Sequence, residues 1–304
     1  MTLLAGSASW TDPTLLASGL FYPPDTRSAE ARLRYYATQF PLTEVDSSFY
    51  GLPGVRNAQL WAERTPGGFV FDVKAFRAFT GHAVPLRSLP ADLRGEVAAN
   101  DPALWRGLPP DVRHELWFRF RTALHPLQAA GKLGAVLFQF APTVRPGPAV
   151  HAHLEHCVDM MAGATVAFEF RHRSWFEGVQ RENTLAMLRA LQVVNVVVDA
   201  PQGSFDNSVP AVWQATHPRL ALVRLHGRNV AAWNNRSGAS SGRFQYLYSD
   251  AELAAMLPPL RQLEAQVGKV HATFNTNHRD QGQVNARRLL ALWDGPARDG
   301  GASG

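Results

Sequence analysis

Polar and charged side chains in this chain fall at the ends of short apolar runs. The segment Phe168-Glu169-Phe170-Arg171-His172 shows the pattern most densely. Successive side chains of an extended chain alternate faces, so Glu169 and Arg171 share one face while Phe168 and Phe170 share the other. Similar run ends carry Asp46, Lys74, Gln139, Asp199, Arg224, His226, Arg228, Asn275 and Asn277. Glu169 suits a general acid or base, and Lys74 suits a base, an electrostatic stabiliser or an amine nucleophile. Arg171 and Arg224 suit the grip of an anion. His226 suits proton shuttling or metal ligation, and Asp199 adds a carboxylate to the catalytic set.

A metal centre is the alternative chemistry. Glu169, Asp199 and His226 close three successive runs, and oxygen ligands with one imidazole suit manganese, magnesium or zinc. Lys74, Arg171 and Arg224 at the same mouth would repel a cation, so the expectation is no metal and no cofactor. Parity also turns Glu44, Asp46 and Asp72 inward. Unpaired burial of so many charges is too costly, so they must pair, meet water or bind something. For Glu44 and Asp72, one layer deeper, a structural salt-bridge lattice is the expected role.

The elements that must position these residues alternate regularly. Strands are predicted at Leu3–Ala8, Leu42–Asp46, Phe69–Lys74, Ala135–Phe140, at the start of the Val166–Trp175 stretch, and at Val193–Val198, Leu220–Leu225 and Val270–Phe274. Helical spacing marks Ser28–Phe40, Val55–Arg64, Pro110–Ala130, Val150–Met161, Asn183–Leu191 with Asn183 as cap, Asp250–Ala265 and Gln283–Trp293. Eight strands alternating with helices predict an α/β fold, a single (β/α)8 TIM-like barrel. The Thr80–Gly131 segment, with six prolines, is read as a long excursion between strands three and four. The barrel is expected over residues 1–294, with a disordered tail over residues 295–304. No Gly-x-Gly-x-x-Gly follows a strand, which argues against a doubly wound dinucleotide-binding sheet, and no Walker, His-Glu-x-x-His or zinc-type cysteine motif occurs.

Composition narrows the function classes further. The 304 residues are 46% hydrophobic, enough for a substantial core. Only three of the 30 basic residues are lysine, and the net charge is +5. That modest charge favours arginine-rich base composition over a dedicated phosphate surface. One cysteine, Cys157, allows no internal disulfide and fits a reducing compartment. No signal peptide and no apolar run near the roughly 20 residues of a membrane span is seen, so a cytoplasmic protein without membrane partners is expected.

Barrels of this kind carry active sites at the C-terminal strand ends, often with a phosphate site after strands seven and eight. Here those loops hold Arg224, Gly227, Arg228, Asn275 and Asn277, the asparagines just ahead of a helix N-terminus. The loop Val230–Ser249 adds Trp233, Phe244, Tyr246 and Tyr248, as a stacking platform for bases or sugars or as anchors of the loop.

Together these stretches resemble a family. Trp10, Phe21-Tyr22-Pro23, the Glu44–Tyr50 run with Pro53, the Phe71–Ala75 run with Thr80-Gly81-His82, and Leu137–Pro142 are similar to the YecE-like family, domain of unknown function seventy-two. So are the Phe168–Trp175 and Val223–Arg228 runs, Tyr246–Ser249, and Phe274–Asn277 with Asn285-Ala286. The chain departs from the pattern at Asp46, where asparagine is common, and at Thr276 between Asn275 and Asn277. The resemblance implies a TIM-like barrel and no particular reaction. Its barrel is similar to those of sugar-phosphate isomerases and abasic-site endonucleases, which motivates a phosphate or nucleic-acid reading by analogy of fold.

The expected function is an enzyme, a hydrolase or isomerase, acting on a phosphorylated or anionic sugar-like substrate, nucleic acid included. Glu169 and Lys74 form the acid/base pair, with His226 and Asp199 completing the catalytic set. Arg171, His172, Arg224, Arg228, Gln139, Asp46, Tyr50, Trp10, Asn275, Asn277 and Tyr246 are the expected binding residues. The alternative is a non-catalytic nucleic-acid-binding protein using arginines and the aromatic loop. Lys74, Glu169, Arg171, Arg224, His226 and Asn275 are expected to converge on one solvent-reachable pocket.

Overall fold

A computed structural model describes residues 2–97, 101–203, 205–233 and 244–295. Eight parallel strands close into a barrel in chain order, β1 pairing with both β2 and β8. They are β1 (Thr2–Ser7), β2 (Leu42–Val45), β3 (Val70–Lys74), β4 (Leu133–Gln139), β5 (Thr165–Glu169), β6 (Val194–Asp199), β7 (Ala221–Leu225) and β8 (Lys269–Phe274). The helices are α1 (Pro13–Ser18), α2 (Ala29–Gln39), α3 (Val55–Glu63), α4 (Pro110–Ala129), α5 (Pro148–Met160), α6 (Val179–Ala190), α7 (Val230–Trp233), α8 (Asp250–Val267) and α9 (Gln281–Asp294).

Strand parity divides the core. Phe71, Val73, Phe138, Phe168 and Val197 lie in the apolar layer between strands and helices. Ala135, Leu137, Ala167, Val194, Val196, Val198 and Leu222 form a separate apolar cluster. They share inward parity with Lys74, Gln139, Glu169 and Arg224, through the registers Lys74↔Leu137, Gln139↔Glu169 and Val198↔Arg224. The barrel interior is therefore apolar beside β4 to β7. It is polar where Glu44, Asp72, Arg224, His271 and Thr273 project. Gly6 allows β1 and β2 to meet: a Cβ there would lie 1.8 Å from the Leu42 carbonyl oxygen.

Two helices differ from the sequence expectation. α6 starts at Val179 after Gly178, so Asn183 lies inside the helix and does not cap it. Its first turn holds Glu182, which the N-terminal dipole favours. α1 was missed, although Asp12-Pro13 carries its signal: Asp12 Oδ1 accepts from Thr14 N at 2.8 Å, and Pro13 opens the helix. The excursion between β3 and β4 contains four short 3-10 turns and then α4, which packs along α3. Of the expected tail, Gly295 closes α9 and residues 296–304 lie outside the described residues.

Candidate functional site

At the C-terminal end of the barrel one guanidinium joins two carboxylates. Arg224, on β7, donates from Nε and Nη2 to both oxygens of Glu44 on β2, at 2.8 and 2.7 Å. Its Nη1 donates to Glu169 Oε2 on β5 at 2.5 Å and to Gln139 Oε1 on β4 at 2.9 Å. Only barrel closure brings strands two, four, five and seven to one point. Glu169 Oε1 also accepts from Arg171 Nη1 at 3.1 Å and from His226 Nε2 at 3.2 Å. The amide of Asn275 donates to His226 Nδ1 at 2.9 Å. An amide nitrogen has no lone pair to offer, so Nδ1 is bare and the imidazole carries its proton on Nε2.

The electrostatics separate the two carboxylates. Burial raises the pKa of Glu44, and the opposing charges of Arg224 and Lys74 do not cancel it. Burial acts the same way on Glu169, but Arg224, His226 and Arg171 outweigh it and hold that carboxyl well below the usual range. Burial pushes His226 down to about 4, against the pull of Glu169, so the ring is neutral near pH 7.

The expected convergence is therefore met in part. Glu169, Arg171, Arg224, His226 and Asn275 form one hydrogen-bonded cluster, joined by Gln139. They do not line an open pocket. Glu169 and Arg224 are fully buried, and the rings of Trp233 and Phe244 lie 6.3 and 5.8 Å from that of His226. The Arg171 guanidinium lies 5.2 Å from the Trp233 ring. Lys74 stands apart, donating to Asp46 at 2.8 Å with its ammonium 4.4 Å from the Phe49 ring.

A cavity of about 280 Å³ opens on the other side, between the ends of β1 and β2 and the helices α2 and α3. Its walls include Trp10, Glu44, Asp46, Asn57, Trp61 and Arg64. Trp10 and Trp61 meet edge to face at 5.8 Å. Glu44 was read from sequence as structural, and Asn57, Trp61 and Arg64 were not singled out. Their spacing of i, i+4 and i+7 in and just after α3 places them on one helix face, which was the available signal. Arg64 pairs with Glu30 at 3.0 Å.

Other expected residues serve elsewhere. Asp199 pairs in register with Leu225 rather than with Arg224, so it leaves the inner face. It accepts from Arg228 Nη2 at 2.7 Å and from the Tyr248 hydroxyl at 2.7 Å. Glu169, Asp199 and His226 thus do not form a common ligand set, and no metal-holding group of three such side chains occurs among the described residues. The phosphate reading after β7 and β8 meets donors already engaged. The Gly227 amide donates to the Tyr248 hydroxyl, Arg228 pairs with Asp199 and Glu252, and Asn275 holds His226. The aromatic loop is no stacking platform at Trp233 and Tyr248, which are buried, and Tyr246 donates to Glu252 at 2.6 Å. Within that loop, residues 234–243 lie outside the described residues. His172 accepts from Ser174 N and caps a short turn. Tyr50 is exposed and borders a different groove. Asn277 ties the β8 loop to α1, its carbonyl accepting from Thr14 Oγ1 at 2.6 Å.

Fold and site define a class: TIM-like (β/α)8 barrels whose C-terminal mouth is filled by an arginine–carboxylate lattice. Within it, the chain belongs to the DUF72 family, described as "Protein of unknown function DUF72", which it matches over residues 4–300. It is 34% identical over 276 residues to the UPF0759 protein YunF of Bacillus subtilis, covering 90% of each chain. Solved structures of DUF72 family proteins share the fold. One from Enterococcus faecalis superposes with a TM-score of 0.78 at 24% identity, over 97% of this chain and 96% of that one. Another from Thermotoga maritima gives 0.76 at 24% identity, over 97% and 100%. Among the described residues no helix is long and apolar enough to cross a membrane.

Proposed function

We propose that this protein is a general acid–base enzyme acting on a sugar-like, polyhydroxylated substrate held in the cavity between β1 and β2. The observation that carries the reading is the position of Glu44. It lies in the wall of that cavity, and burial raises its proton affinity above the ordinary carboxylate value, which suits proton transfer to and from a bound hydroxyl. Asp46, just past the end of β2, lines the same cavity and is held by Lys74, which suits the partner base. Trp10 and Trp61 offer apolar ring faces to a sugar, and Asn57 and the carboxylates offer partners to its hydroxyls.

Two parts of the sequence expectation change. Glu169, ionised and closed off, supports a role in fixing Arg224 and His226, so proton transfer passes to Glu44. The anionic substrate is not retained, because Arg171, Arg224 and Arg228 each pair with a carboxylate. The same pairing weakens the nucleic-acid reading.

A panel of aryl glycosides and free aldoses, followed for glycoside hydrolysis and for aldose–ketose isomerisation, tests the proposal. Glu44→Gln is expected to lower turnover about 100-fold or more while ligand affinity persists. Trp10→Ala, at the cavity wall, is expected to raise KM. Wild-type turnover in Glu44→Gln together with an unchanged KM in Trp10→Ala would sink the reading.

A further inference from the structure

A second groove lies on the flank of the barrel, away from the mouth. It has a volume of about 500 Å³ and runs between α4 and α5. Arg113, His114 and Trp117 of α4 face it, with His153 and His156 of α5 opposite and Trp105 at one end. Among the described residues, no aspartate or glutamate is in its wall. The wall is therefore rich in N–H donors and holds no carboxylate to satisfy them.

Two of those donors lack partners. Trp117 is 1% exposed, its ring stacked on Phe79 at 3.7 Å, and its buried indole N–H makes no hydrogen bond. Arg113 Nε is likewise buried without a partner. Arg113 makes no ion pair among the described residues, and its guanidinium lies 5.7 Å from the Trp105 ring. A guanidinium with no carboxylate partner keeps its outer N–H donors available to another anion. Its planar fork matches the geometry of an oxyanion. His156 meets the Trp117 ring edge to face at 5.9 Å, so an imidazole stands beside that indole. His153 donates from Nε2 to the Phe79 carbonyl at 2.7 Å, which fixes its ring against the groove floor.

From this placement we infer that the α4–α5 groove is a binding site for a phosphate oxyanion, gripped by the Arg113 guanidinium with the groove histidines around it. The site is separate from the sugar cavity. It shares no residue with it, so a phosphorylated effector could occupy the groove without entering the mouth.

Inorganic phosphate is the probe, titrated into the full chain at constant ionic strength with chloride as the balancing anion. The readout is the ring proton and carbon resonances of His114 and His156 by NMR, assigned with single His→Gln variants. The proposal expects a saturable shift of these signals with a dissociation constant in the millimolar range or tighter. Arg113→Gln is expected to weaken binding at least about tenfold, the loss of one charge-assisted contact. Arg64→Gln, in the sugar cavity, should leave it unchanged. His156→Gln serves as a second, exposed variant and should also weaken binding. Shifts that fail to saturate, or that persist unaltered in Arg113→Gln and His156→Gln, would overturn the assignment.

Discussion

Two glutamates share one guanidinium that lowers both pKa values, but burial prevails at Glu44 and the cations prevail at Glu169, which sets how this protein should answer to pH. The folded pKa of Glu169 is depressed, so its stabilisation is present above its unfolded value and fades as pH falls toward the folded one. Glu44 is raised, so its contribution is present at low pH and lost as pH rises through its folded value. His226 gives the sharpest window. Its pKa drops from 6.5 unfolded to about 4 folded, so between those values the unfolded chain binds the extra proton and stability falls with acidification. His226→Gln should flatten the decline of unfolding free energy between pH 6.5 and about 4, read from urea titrations at each pH. An unchanged slope would mean that His226 is charged in the folded state. The sequence made the inward direction of Glu169, Arg224 and His226 legible through alternation alone. It also placed Glu44 in a salt-bridge lattice, which the pairing with Arg224 matches, but depth along a strand says nothing about a cavity that opens sideways between helices.

At the scale of elements, the described ends of the loop after β7 are fastened rather than displayed. Tyr248 is fully buried, its hydroxyl donating to Asp199 and accepting from Gly227 N. Gly227 sits at φ +80°, and a Cβ there would lie 2.4 Å from Tyr246 Cβ, so the turn needs glycine. Tyr248→Phe leaves the Gly227 N–H unmatched and is expected to cost about 1–3 kcal/mol, seen as a lower urea midpoint with an unchanged m-value. An unaltered midpoint would show that the loop is held by its apolar contacts alone. Alternation located the starts of the eight strands within one or two residues, because each carries a short β-rich run. It misplaced Asp199, since a one-residue difference in register turns a side chain to the other face, and register is fixed by neighbours across the barrel. Helix starts were less legible at α6, where a glycine stands in the cap position that asparagine was expected to fill.

For the molecule as a whole, barrel closure does the work of assembly. Glu44 and Arg224 are 180 residues apart in sequence and share two hydrogen bonds. Breaking such a buried pair by removing one partner costs about 3–5 kcal/mol, so the lattice fixes the relation of the first and second halves of the chain. It also leaves the mouth divided. The side beneath Trp233 and Phe244 is closed, and the side beside Trp10 and Trp61 is open. The central claim is that substrate enters the open side. Crystals soaked in the sugar or glycoside that most raises the melting temperature test it directly. The account predicts a ring seated against Trp10 and Trp61, with a hydroxyl or glycosidic oxygen within hydrogen-bonding reach of Glu44. A ligand seated instead beside Arg228 at the end of β7, with the cavity near Trp10 unchanged, would contradict it.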